Sequence, residues 1–117
     1  MQTSIEGGSA FAYINVDLEP GETVIAESDA MSSMSSDLSM DAKFNGGFFS
    51  GLAKAYLGGE SLFVNHFTNN TSSTRRVPLV QGTPGNTRTI ELNGQEFCLQ
   101  PGAYIASTPG VSLGIKW

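Results

Sequence analysis

His66 is the single histidine of the sequence. Any Ser-His-Asp or Cys-His relay must recruit it, because imidazole alone titrates near neutrality without help from its surroundings. It stands in Phe63-Val64-Asn65-His66-Phe67, flanked by aromatics, with no Gly-x-Ser-x-Gly elbow in the chain. This reads as a structural or surface histidine, and no catalytic residue is assigned. Metal chemistry meets the same shortage. Cupin-type barrels hold metal with several histidines and a carboxylate, which one histidine cannot supply. Met31, Met34 and Met40 lie in or beside the run Met31-Ser32-Ser33-Met34-Ser35-Ser36. Their thioethers could ligate a soft metal, but core filling is the ordinary use of methionine. Asp29, Asp37 and Asp41 lack the spacing of a calcium loop. No metal and no cofactor is expected.

Cys98 is the only cysteine, which excludes an intrachain disulfide. Its setting, Glu96-Phe97-Cys98-Leu99, predicts a buried strand position with an inert thiol. Gly46-Gly47 and Gly58-Gly59 lack the Lys-Ser/Thr or GxGxxG pattern of a phosphate cradle and read as turns. Arg75-Arg76 is the only basic pair, and a pI near 4.6 argues against the phosphate neutralisation that nucleic acid demands. The sequence therefore points away from an enzyme and away from a nucleic-acid binder.

The elements that position these residues are strands. Asp37-Leu38-Ser39-Met40-Asp41-Ala42-Lys43-Phe44 alternates polar and apolar without a break, placing Leu38, Met40, Ala42 and Phe44 on one face. Ala10 to Leu18 alternates too, with Ala12, Ile14, Val16 and Leu18 inward. Further strands are expected at 22–28, 31–35, 61–67, 75–80, 87–92, 96–100, 103–108 and 111–116. Four prolines sit in Pro-Gly pairs, at 20–21, 84–85, 101–102 and 109–110. Proline pre-sets φ at the first turn position, and glycine accepts the positive φ that a type II turn needs next. Such punctuation between short apolar runs predicts an all-β sandwich or barrel. The exception is a short helix expected near 47–57, where Phe48, Phe49, Leu52, Tyr56 and Leu57 recur at helical spacing. It would close one end of the sandwich. With only Lys54 as a base it is a poor membrane-surface helix, so membrane association is not supported.

A chain of 117 residues is the size of one domain, 1–117, and can bury roughly 60–70% of its unfolded surface. The net charge of −5 hides an asymmetry. Residues 1–42 carry eight acids and no Lys or Arg; residues 43–117 carry all six bases against three acids. The two parts are therefore −8 and +3. Either acidic strands lie beside basic ones in one domain, or complementary faces meet between subunits. There is no basic segment followed by an apolar run at the N-terminus and no stretch of about 20 apolar residues, so a cytoplasmic protein is expected. Asn69-Asn70-Thr71-Ser72 contains two formal glycosylation sequons but reads as a polar loop.

These motifs, taken in order, resemble the altered-inheritance-of-mitochondria family. The resemblance rests on Leu18-Glu19-Pro20-Gly21-Glu22 and Ala30-Met31-Ser32-Ser33-Met34-Ser35. It continues through Gly46-Gly47, Gly58-Gly59-Glu60-Ser61-Leu62-Phe63-Val64-Asn65 and Pro101-Gly102-Ala103-Tyr104-Ile105-Ala106. It implies a TRAP-like fold, similar to the tryptophan RNA-binding attenuation protein: antiparallel strands in a sandwich of double-stranded β-helix type, assembled as rings or trimers. Members usually carry two such domains in tandem. This chain resembles the first and ends at Trp117, where a second would begin. The family has no assigned catalytic residues, and its mitochondrial members are linked to inner-membrane organisation, which implies scaffolding.

The expected function is a non-enzymatic, self-assembling scaffold or structural β-sandwich, a homo-oligomer built as a ring, trimer or filament. The alternative is a small-ligand-binding module with a pocket between sheets or subunits. The terminal segment carrying Val111, Leu113, Ile115 and Trp117 ends on an aromatic with no polar tail, and these residues are the expected self-association surface.

Overall fold

In the computed structural model, which describes residues 1–27, 30, 33–44, 63–81, 85–99 and 103–111, the apolar alternation resolves into two antiparallel sheets. The strands are β1 (Gln2–Glu6), β2 (Tyr13–Leu18), β3 (Thr23–Glu27), β4 (Ser39–Phe44), β5 (Phe63–Thr68), β6 (Arg75–Val80) and β7 (Ala106–Ser107). One sheet runs β1-β2-β6 and the other β4-β5-β3-β7. The described residues contain no helix, and the helix expected near 47–57 lies outside them.

The period-2 pattern dictates which side chains meet between the sheets. Val16 and Leu18 of β2 and Val77 and Leu79 of β6 face Val24 and Ala26 of β3 and Phe67 of β5, joined by Ala30 and Leu38. Each large side chain so buried contributes about 1.5–3 kcal/mol relative to exposure. Ala12, Val16, Leu18 and Leu38 are buried as their alternation predicts, and Met34 and the half-buried Ile14 pack against the same cluster. The methionine thus serves as core filler. Ile25 and Val64 are buried on the other face of the four-stranded sheet, so β3 reads as a continuous apolar run, Val24-Ile25-Ala26.

The chain passes from one sheet to the other after β2, after β5 and after β6, and the first two of these connections meet in space. The first joins β2 to β3 through Glu19–Glu22. Pro20 and Gly21 occupy its centre, Gly21 has φ of 85°, and the Glu22 N–H donates to the Glu19 carbonyl at 3.0 Å. This is the type II turn the Pro-Gly pair predicts, used as a corner between sheets rather than as a hairpin. The second corner, residues 69–74, joins β5 to β6. Asn69 is fully buried there and ties both corners together. Its Nδ2 donates to the carbonyls of Leu18 and Ser73, each at 2.8 Å. Its Oδ1 accepts from the Thr71 N–H at 2.9 Å and the Thr71 hydroxyl at 2.6 Å. Its backbone N–H donates to Glu22 at 3.0 Å, and its carbonyl accepts from Gly21 at 2.7 Å. The Thr74 hydroxyl donates to Glu19 Oε1 across the same junction, at 2.8 Å.

Sequence reading missed β1, whose polar run Gln2-Thr3-Ser4-Ile5-Glu6 is exposed throughout and pairs only with β2. It also expected strands that are not there. Residues 33–35, 87–92 and 96–99 are in no strand, and the one expected at 103–108 shrinks to Ala106–Ser107. The Pro109-Gly110 pair does form a turn, closed by the Val111 N–H on the Thr108 carbonyl at 3.2 Å.

Asn69→Ala would leave the Leu18 carbonyl and the Thr71 N–H short of a partner, while the Ser73 carbonyl keeps the Thr71 hydroxyl, and is expected to lower unfolding stability by about 1–3 kcal/mol. Asn69→Asp, which turns both donors into acceptors facing carbonyls, should cost at least as much at neutral pH. Urea denaturation of the purified variants checks this, and a loss below about 0.5 kcal/mol for both would contradict the assigned role.

Candidate interaction surface

The residues with chemical potential are dispersed. His66 lies in β5 between Ile25 of β3 and Asp41 of β4 in the strand register. It is half-buried and sits on the sheet face that also buries Ile25 and Val64. Among the described residues no three His, Cys, Asp or Glu side chains come close enough together to hold a metal ion. Cys98 departs from expectation: it is exposed and lies outside any strand. Its flanking sequence has strand character, but burial needs a neighbouring strand or sheet to pack on, and 96–99 meets none.

Part of the charge asymmetry is resolved inside the chain. Arg76 of β6 stands directly opposite Asp17 of β2 and grips it with two prongs, Nε to Oδ1 at 2.8 Å and Nη2 to Oδ2 at 3.2 Å. Arg75 reaches Asp37, just before β4, with Nη2 to Oδ2 at 3.0 Å and Nε to Oδ1 at 3.2 Å. That pair bridges the two sheets. The amino terminus binds Glu22 Oε2 at 2.6 Å, beside the first corner. Acidic strands therefore lie beside basic ones, and both members of the only basic pair already hold carboxylates. This leaves less charge than expected for complementary faces between subunits, and a smaller basic surface for an anion.

Five large apolar side chains are exposed among the described residues. Ile90, Phe97 and Leu99 are exposed within one ten-residue stretch, Phe97 at 56% and Leu99 at 52%. Phe11, at 70%, projects from the turn between β1 and β2, and Ile5 is exposed on β1. Isolated exposed apolar residues mean little; three in one stretch with strand composition are a different observation. Gly85, at the root of that stretch, bridges to Phe11, with the Ala12 N–H donating to its carbonyl at 3.0 Å. Of the terminal residues singled out by sequence, Val111 is half-buried, while Leu113, Ile115 and Trp117 lie outside the described residues. Sequence reading missed Ile90, Phe97 and Leu99 as surface residues because their alternation is indistinguishable from that of a buried strand. Among the described residues no helix is long and apolar enough to cross a membrane.

Residues 3–117 match the family described as mitochondrial biogenesis AIM24, and the chain belongs to that family. It is 26% identical over 113 residues to an uncharacterised protein of Streptococcus pyogenes serotype M6, the match covering 91% of this chain and 44% of that protein. A crystal structure of another Streptococcus pyogenes protein has the same fold, with a TM-score of 0.71 at 24% identity over 92% of this chain and 50% of that one. The chain spans about half the length of these relatives.

The ion pairs give the fold a pH dependence of known sign. Hydrogen bonds from Arg76 hold Asp17 below its ordinary 3.8. Those from Arg75, then Ser35, do the same for Asp37, and the amino terminus, then the Glu19 N–H, hold Glu22 below 4.5. Folded values below unfolded ones mean stability that is complete above the unfolded value and lost as pH falls through the folded one. Stability should therefore decline between about pH 5 and pH 3, modestly because the groups are exposed. Asp37→Asn should flatten that decline in denaturation series run across pH. Parallel curves for variant and parent would contradict the role given to the Arg75 pair.

Proposed function

We propose that this AIM24-family chain is a non-enzymatic, self-associating β-sandwich, a structural unit that works as a scaffold within a homo-oligomer. The observation that carries the reading is the exposure of Ile90, Phe97 and Leu99 together, in a segment whose composition suits a strand. Large apolar side chains exposed within one short stretch favour association with a protein partner. The outer edge of β1, unpaired among the described residues, supports it further, because such an edge is a template for pairing. His66 sits in mid-strand between Ile25 and Asp41 in the register.

Nucleic acid is not part of the proposal. Arg75 and Arg76 are held by Asp37 and Asp17, so a phosphate would have to displace a carboxylate at each. RNA titrations at two ionic strengths should give no salt-sensitive binding near physiological salt. A steep fall of measurable affinity with salt would reveal phosphate contacts and sink this part of the proposal.

Light scattering on the purified chain from low to high micromolar concentration tests the central reading. A defined oligomer is expected. A well-folded monomer at the highest concentration would remove the basis for a scaffold.

A further inference from the structure

The segment after Gly85 has the sequence of a β-hairpin and none of its pairing. Thr87-Arg88-Thr89-Ile90-Glu91-Leu92 and Gln95-Glu96-Phe97-Cys98-Leu99 flank Asn93-Gly94. Asn-Gly between two strand-forming runs is the strongest short-range hairpin signal, because both central residues of the favoured turn need positive φ. Gly94 has φ of 91°, whereas Asn93 does not have positive φ, so the turn is set at one of its two central residues only. Yet residues 86–99 belong to no strand. Short-range hydrogen bonds within the segment include Thr87 N–H to Asn86 Oδ1, Asn93 N–H to Gln95 Oε1 and Gln95 Nε2 to the Glu91 carbonyl, and Glu96 also has a partner. The Thr87 hydroxyl, at the root, is buried without a hydrogen-bond partner. Strand-forming sequence left in this state lacks a sheet to join.

β1 offers the complementary deficit. Among the described residues it is the terminal strand of the order β1-β2-β6, and no described residue pairs with its outer row of backbone donors and acceptors. Its five residues are all exposed, and Gln2-Thr3-Ser4-Ile5-Glu6 contains no Lys and no Pro to discourage pairing. The opposite edge of the sheet is different. β6 carries Pro78, which lacks a donor, and its Val80 N–H is already taken by the Ala30 carbonyl at 2.6 Å. The lengths also agree: six and five residues in the two arms of the hairpin, five in β1.

We propose that residues 87–99 form a β-hairpin arm that pairs along the outer edge of β1 in a second copy of the chain. This rests on the self-association reading and names its contact. The occupant is a second copy because arm and edge belong to the same polypeptide and answer the same need. A two-fold exchange satisfies two arms and two edges at once. Position favours it as well, since the arm is rooted where Gly85 bonds to Ala10 and Ala12, at the end of the sheet that β1 borders. Pairing would cover Ile90 with Ile5, both exposed in the single chain, and bring Arg88 into the neighbourhood of Glu6.

Sedimentation equilibrium on the full chain tests this with two substitutions at exposed positions, Ile90→Pro in the arm and Ile5→Lys on β1. Neither residue belongs to the core, so circular dichroism and the unfolding midpoint should stay close to the parent's. Each substitution should raise the dissociation constant by about tenfold or more, through a lost ladder donor in one case and a charge at the contact in the other. A parent oligomer that survives both unchanged overturns the arm while leaving self-association standing. Weakening by Ile90→Pro alone overturns β1 as the receiving edge. A monomeric parent overturns this proposal and the scaffold reading together.

Discussion

The sandwich depends on holding two crossings between its sheets in one place. A β-sandwich buries its core only if the chain changes sheet at the right residue, because a slip of one position turns every inward side chain outward. Here the β2–β3 corner and the β5–β6 corner lie side by side, and Asn69 satisfies backbone groups of both. An amide suits the task because it offers two donors and a two-fold acceptor in one plane. Its full burial makes the arrangement all-or-none: satisfied, it holds Leu18 in the core cluster with Phe67 and Val77; unsatisfied, it leaves buried polar groups without partners.

From that junction the electrostatics follow. The corners bring the acidic first part of the chain against the basic later part, so Asp17 meets Arg76 and Asp37 meets Arg75 within one domain. Charge is therefore used to stitch strands and sheets together rather than to reach outward. The surface proposed for partners combines exposed apolar side chains in the segment after Gly85 with the backbone edge of β1.

Much of the core was legible in the residues. Unbroken alternation placed Val16, Leu18 and Leu38 correctly, and Pro20-Gly21 announced its turn, because these depend on local geometry alone. The family was legible too, from the order of short motifs along almost the whole chain. Other features depend on what lies across space. Gln2–Glu6 has no apolar face and becomes a strand only because β2 is beside it. Asn69 looks like a loop residue until two corners converge on it. Cys98 and Phe97 have strand-like surroundings, yet propensity cannot supply a neighbour, and both are exposed. That last mismatch, sequence calling for a sheet and a single chain not providing one, is what points to association.

Hydrogen exchange read by mass spectrometry across a dilution series tests that account most directly. Amides of the core strands β3, β5 and β6 should exchange slowly at every concentration, since their ladders lie within one chain. Amides of residues 86–99 should be protected at high micromolar concentration and lose that protection on dilution, in step with the fall in mass. Rapid exchange of residues 86–99 at every concentration, in a sample that remains oligomeric, would contradict the claim that this segment carries the assembly.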